Sequence, residues 1–96
     1  MVVVGAVKIE LYIHGAQGLK EKRSVVKRVL NRLRENFPVS AAEVEDMDLH
    51  QKAVIACALV TNDKSHANSV LDKLVDYLVG TGLCEVGRAS IELINL

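Results

Sequence analysis

The chain has no tryptophan, one phenylalanine (Phe37) and two tyrosines (Tyr12 and Tyr77). With so few rings it cannot offer the stack of aromatic side chains on which single-stranded nucleic acid is usually threaded. The core must be assembled from Val, Leu, Ile and Ala. Cysteine is nearly absent as well: Cys57 and Cys84 both lie in apolar segments, so a single disulfide is conceivable, but buried free thiols are the expected reading. His14, His50 and His66 share no ligand spacing with one another or with the cysteines, so no zinc site is expected. No apolar run reaches the roughly 18 residues that a membrane helix requires. The apolar N-terminus carries Lys8 and Glu10 within its run, which suits a strand and not a signal peptide. These readings point to a cytoplasmic protein with no membrane contact.

Net charge is also lacking, since twelve basic residues balance twelve acidic ones. The balance hides an asymmetry. Lys20, Lys22, Arg23, Lys27, Arg28, Arg32 and Arg34 fall within fifteen positions and only Glu21 opposes them, a local charge of +6. Acidic residues gather instead at Glu43, Glu45, Asp46 and Asp48. A segregated positive field of this kind attracts anionic partners.

Ninety-six residues make one domain. Residues 2–14 alternate, with Val7, Ile9, Leu11 and Ile13 on one face and Lys8, Glu10, Tyr12 and His14 on the other, the mark of a half-buried strand. Gly15 and Gly18 then open a loop. From Leu19 the period becomes helical, through Val26, Val29, Leu30, Leu33 and Phe37, and Pro38 ends the run. A short strand over 39–44, an acidic turn over 45–48 and an apolar strand over 52–61 follow. Asn62 and Asp63 are good caps for a second helix with a stripe at Ala67, Val70, Leu71, Leu74, Val75 and Leu78. Gly80 and Gly82 close that helix, and a last strand over 83–96 slips its alternation near Gly87. The order βαββαβ is that of the ferredoxin-like α+β fold: an antiparallel sheet in spatial order 4-1-3-2 with both helices on one face. In that order the first strand separates Cys57 from Cys84.

Several strings carry a family resemblance. "GLKEKR" after the first strand, "VLNRLRENFPVSAAEVED" across the first helix and second strand, and "ALVTND" before the second helix resemble the YlxP-like family of small bacterial proteins, also called domain of unknown function 503. The resemblance spans nearly the whole chain. It implies a ferredoxin-like fold and no established biochemical activity. Members are commonly encoded near translation and ribosome-maturation genes, which implies an RNA or ribosome setting. The family usually has Ser before LKEKR; Gly18 stands there in this chain, which removes one half of a capping box with Glu21.

On a helical wheel Arg23, Lys27 and Arg34 cluster on one flank with Lys20 nearby, while Arg28 and Arg32 lie further round. Such a row can follow a phosphate backbone. Lys20, Lys22 and Arg23 also crowd the first helical turn, where the macrodipole disfavours cations and free N–H groups favour an anion. The candidate polyanion- or RNA-binding residues are therefore Lys20, Lys22, Arg23, Lys27, Arg28 and Arg34. The same charges equally suit a solvated helix that binds nothing.

Other chemistry is sparse. Gly15-Ala16-Gln17-Gly18 before a cationic helix resembles the phosphate loop of acylphosphatases, which pair a loop Arg with a strand Asn, but the loop is a residue short and Arg23 falls one place late. The acidic cluster lacks Ca²⁺-loop spacing. No nucleophile–base pair is legible. No catalytic residue, metal, cofactor or small-molecule substrate is assigned, and the expected activity is a binding one.

The third strand is apolar on both faces, with Val54, Ala56 and Ala58 on one and Ile55, Cys57 and Leu59 on the other. Whichever set meets the helices, the other leaves an apolar strip on the open face. Tyr12, Val54, Ile55, Cys57, Leu59 and Ile94 are the candidates for a homodimer interface through that face or the adjoining edge strand. A homodimeric interaction or regulatory module is thus the second functional expectation, and an acylphosphatase-like hydrolase the third.

Overall fold

A computed structural model describes all of residues 1–96. Strand β1 (Val3–Tyr12) is followed by helix α1 (Leu19–Asn36), strand β2 (Ser40–Glu45) and strand β3 (Lys52–Thr61). Helix α2 (Lys64–Thr81) and strand β4 (Glu85–Asn95) complete the chain. The sheet is antiparallel in order β2-β3-β1-β4, the ferredoxin-like arrangement that the element order predicts.

Alternation decides which way each strand faces. Val3, Val7, Ile9 and Leu11 of β1 turn to the helices and are buried. Ala53, Ile55, Cys57 and Leu59 of β3 join them. Val26, Val29, Leu30 and Leu33 of α1 and Ala67, Leu71, Leu74 and Leu78 of α2 close the same core from above. Phe37 and Tyr77 meet edge to face, with ring centroids 5.5 Å apart, and Asn36 donates a 3.0 Å hydrogen bond to the Tyr77 hydroxyl. That contact fastens one flank of α2 to the end of α1.

The helix ends follow local chemistry. Pro38 forces Phe37 out of the helical region, to φ −137° and ψ 149°. The Asp63 carboxylate accepts from the Ser65 and His66 N–H groups at 2.9 and 3.3 Å, so Asp63 and not Asn62 caps α2. Gly82 ends that helix in the left-handed region at φ 67°. Gly18 stands extended at the start of α1 and caps nothing with a side chain. Glu21 nevertheless reaches back and accepts from the Gln17 N–H at 3.1 Å, the surviving half of a capping box moved one residue upstream.

Two bulges bend the sheet. One lies where β1 pairs β4, between Ile9 and Leu11, and there the Glu10 carboxylate accepts the Arg88 N–H at 3.2 Å. The Tyr12 ring covers Gly87 beside it, so closely that a Cβ at 87 would fall 2.6 Å from Cε2. The other bulge lies between Glu43 and Glu45 and corrects a simple alternation reading. Glu43 and Glu45 do not share a face. Val44 is the extra residue, so Glu43 turns beneath α1 while Glu45 pairs with Lys8 on the open face at 3.2 Å.

Cys57 and Cys84 are free thiols. Strand β1 lies between them, and Cys57 stands opposite Val7 while Glu85, next to Cys84, stands opposite Tyr12. Burial pushes the Cys57 thiol up to about 11 against the opposing pull of Arg34, and burial also raises Cys84. Both thiols therefore stay protonated, and unreactive, at neutral pH. We expect Cys57 to react with a thiol reagent only on unfolding, and half-buried Cys84 to react slowly but sooner. A mass deficit of two protons in protein prepared without oxidant would contradict the strand order as well as the thiol assignment.

Candidate nucleic-acid interface

Lys22 lies on the buried stripe of α1. Positions 19, 22, 26, 29, 30 and 33 follow the three- and four-residue spacing of one helix face, and Lys22 is 0% exposed. Its stem passes through the core to the turn between β2 and β3. There its ammonium donates to the carbonyls of Asp46, Met47 and Lys52 at 2.9, 3.2 and 3.2 Å. Its Nζ also stands 3.0 Å from Glu43 Oε2, a buried oxygen with no other partner. Three donors thus face four oxygens, and the charge is satisfied internally. Lys22 is a structural clamp and is withdrawn from the anion-binding set. Crowding of cations at the helix start is correspondingly less severe than the sequence suggests.

The other candidates are exposed. Lys20, Arg23, Lys27 and Arg28 all project into solvent, as does Arg32 outside the candidate set, and none of the five forms an ion pair within the chain. Arg34 is also exposed but partly engaged: it donates to the Ala41 carbonyl of β2 and, at 3.4 Å, to Asn31. That bond fixes the geography. The row Lys20, Arg23, Lys27, Arg34 runs along the flank of α1 above the β2 edge, and Arg28 and Arg32 lie further toward the solvent crest.

The open sheet face is a poor surface for bases. Tyr12 is its one aromatic residue; the ring stacks on His14 at 6.2 Å and has the Lys52 ammonium 6.0 Å from its centroid. Lys52 is held by Asp46 at 3.2 Å and Glu10 at 3.7 Å. The hydrogen bond and charge of Asp46 raise its pKa above the usual lysine range. His14 in turn meets Glu85 at 3.1 Å. Lys8 and Lys52 on this face are thus paired with neighbouring carboxylates, in contrast to the exposed cations of α1.

Three of the six interface candidates are misplaced for that role. Ile55, Cys57 and Leu59 face the helices and are buried, so the open face carries the even-numbered set of β3. Val54 lies on that face yet is only 4% exposed. It is hemmed by its cross-strand neighbours Glu10 and Glu45. Tyr12 and Ile94 remain accessible, and Val60, 72% exposed, is an apolar residue that alternation alone does not single out. The phosphate-loop pairing is not formed either. Asn62 follows the end of β3 that lies beside Val3, whereas the 15–18 loop follows Tyr12 at the far end of β1.

The sequence matches, over residues 4–91, a family model described as a protein of unknown function, DUF503. The chain belongs to the DUF503 family. The uncharacterized protein YlxP of Bacillus subtilis (strain 168) is 30% identical over 76 residues, which are 79% of this chain and 83% of that protein. Among solved structures, the designed protein Foldit4 superposes with a TM-score of 0.59 at 12% identity, covering 100% of this chain and 99% of that one. The designed ferredoxin-fold protein LFR1 1 gives 0.58 at 10% identity, covering 96% and 86%. The cofactor-independent oxygenase SnoaB from Streptomyces nogalater gives 0.51 at 14% identity, covering 100% and 94%. At these identities the likeness is one of fold alone. No helix is long and apolar enough to cross a membrane.

Proposed function

We propose that this DUF503 protein is a cytoplasmic RNA-binding module, of ribosomal setting, that grips phosphates along α1. One observation carries the reading: Lys20, Arg23, Lys27, Arg28 and Arg32 are exposed on a single helix without a carboxylate partner. The chain as a whole is neutral, and Lys8 and Lys52 on the sheet face are paired with carboxylates. Five free cations on a rigid rod present charge at intervals a helical backbone can match. With one ring on the open face, base stacking contributes little, and recognition follows backbone shape more than sequence.

The test is a salt titration with a short RNA duplex. Changing Lys20, Arg23 and Lys27 together to Gln removes three cations and leaves the clamp at Lys22 untouched. Each phosphate that is no longer neutralised should lower the slope of log K against log salt by about 0.7 to 0.9, so the triple variant should flatten it by roughly 2 to 3. Affinity should fall alike for unrelated sequences. Equal affinity and slope in variant and parent would exclude α1 as the binding surface. Crosslinking in cells that recovers ribosomal RNA with the parent chain, and not with the triple variant, would support the ribosomal setting. The free edge of β4 favours a second, compatible role in self-association.

A further inference from the structure

The two edges of the sheet are not alike. β2 is six residues long, bulged, and has its Ala41 carbonyl occupied by Arg34. Those are the devices by which proteins blunt a strand edge. β4 is eleven residues long, and no bulge interrupts its pairing from Ala89 to Asn95. Nothing in the chain covers its outer side. In an antiparallel ladder alternate residues point their backbone groups at the partner. The Leu96 N–H bonds the Val2 carbonyl at 2.9 Å, so the even-numbered residues of β4 face β1. Ala89, Ile91, Leu93 and Asn95 consequently turn their N–H and C=O groups outward, unpaired.

Side chains beside this edge carry a two-fold pattern. Arg88 and Glu92 are both exposed, and neither forms an ion pair within the chain. They lie two residues either side of Ser90. Set two β4 strands antiparallel with Ser90 opposite its own copy. Arg88 then stands across from Glu92 of the second chain, and Glu92 from Arg88, on one face of the joined sheet. The outward groups of Ala89 and Ile91 fall opposite one another and exchange hydrogen bonds.

The helix layer agrees. Tyr77 directs one flank of α2 toward α1; Val79, two residues on and about 200° round the helix, lies on the opposite flank, above the β4 edge. It is 57% exposed. Helix α2 sits over β1 and β4 and also reaches β3. With strands about 4.8 Å apart, joining two β4 edges would set the two α2 axes roughly 10 to 14 Å from each other. The near end of that range is the distance at which helices pack, and there Val79 would be covered.

We propose that β4 pairs with β4 of a second copy of this chain, making a two-fold dimer with a continuous eight-stranded sheet. The interface is isologous, as closed dimers require, and independent of the reading of α1. It leaves both basic flanks at the outer ends of the joined sheet.

Light scattering across micromolar concentrations tests it. The parent chain should give about 21 kDa, twice its 10.5 kDa. Ile91→Pro removes an N–H that points away from β1, so the monomer should keep its fold by circular dichroism while the mass falls to that of one chain. Arg88→Glu alone and Glu92→Arg alone should each place like charges opposite and give monomer. The double exchange, Arg88→Glu with Glu92→Arg, should restore the dimer even where the proline variant does not fold. A parent chain that stays at 10.5 kDa overturns the proposal. So does a dimer that survives both single charge reversals, or one that is lost only on changing the open face, for instance by Val60→Lys.

Discussion

Replacing Lys22 by Met should destabilise the chain by about 3 to 5 kcal/mol, the usual cost of removing one member of a buried ion pair. Methionine retains most of the stem's packing and deletes only the charge and its donors. The Glu43 carboxylate, 18% exposed at its side chain, would lose its single partner. The carbonyls of Asp46, Met47 and Lys52 would lose their shared donor. Against a total stability of about 5 to 15 kcal/mol for a small domain, the variant should unfold at a much lower urea midpoint. Arg23→Met, one residue on but exposed, should change stability by less than about 0.5 kcal/mol. If the two substitutions behaved alike, the clamp would be wrong.

The hairpin explains why the clamp is there. Its turn contains no glycine, and Asp46 takes a left-handed conformation at φ 60°, a region that Asp tolerates better than most residues. Carbonyls 46, 47 and 52 converge on one point, which only a multiple donor can satisfy. Combining Lys22→Met with Glu43→Leu should recover part of the loss, since an apolar pair removes the stranded carboxylate. It should not recover all of it, because the three carbonyls stay unserved. The shortfall in the double-mutant cycle separates the ion pair from the carbonyl cage.

Lys22 also shows where reading the sequence succeeds and where it fails. The fold is legible because alternation in β1, a helical period from Leu19, Pro38, and the Asp63 and Gly82 stops are local signals with one interpretation each. The sheet order follows from the handedness of two crossovers. Lys22 is miscast when it is grouped with its charged neighbours along the chain, because its place on the wheel, between Val29 and Leu33, belongs to the core stripe. The Val44 bulge leaves no mark, since Ala-Glu-Val-Glu alternates well enough as a flat strand, and what rewards the bulge is a lysine on the preceding helix. For the candidate site, the exposed row Lys20, Arg23, Lys27 and Arg34 is visible in spacing alone. The engagement of Arg34 with β2 is not, because a carbonyl acceptor has no sequence signature. The interface candidates divide at β3 for a related reason: a strand apolar on both faces does not say which face the helices take.

Gly5 is the second residue whose importance no pattern announces. In sequence it merely interrupts an apolar run; in the structure α2 is seated close above it. A Cβ there would lie 3.2 Å from Ala67 Cβ, 3.2 Å from Leu71 Cδ1 and 3.3 Å from Leu59 Cδ2. Ala67 cannot swing aside, since its Cβ moves only with the helix backbone. Gly5→Val should therefore lift α2 from β1 and cost about 3 kcal/mol by overpacking. For a domain of this size that corresponds to a fall in melting temperature of roughly 12 to 24 °C. Gly5→Ala should cost less, because one methyl adds less bulk and the lost glycine flexibility of the unfolded chain offsets about 0.4 to 1 kcal/mol. Gly15→Ala is the control: it meets nothing within 4 Å and should leave the melting temperature nearly unchanged. Leu71→Ala in the Gly5→Val background should cost less than it does alone, since it opens the space the valine needs. Additive losses would mean that the valine and Leu71 do not compete for space, and that the close seat of α2 on β1 is not what Gly5 provides.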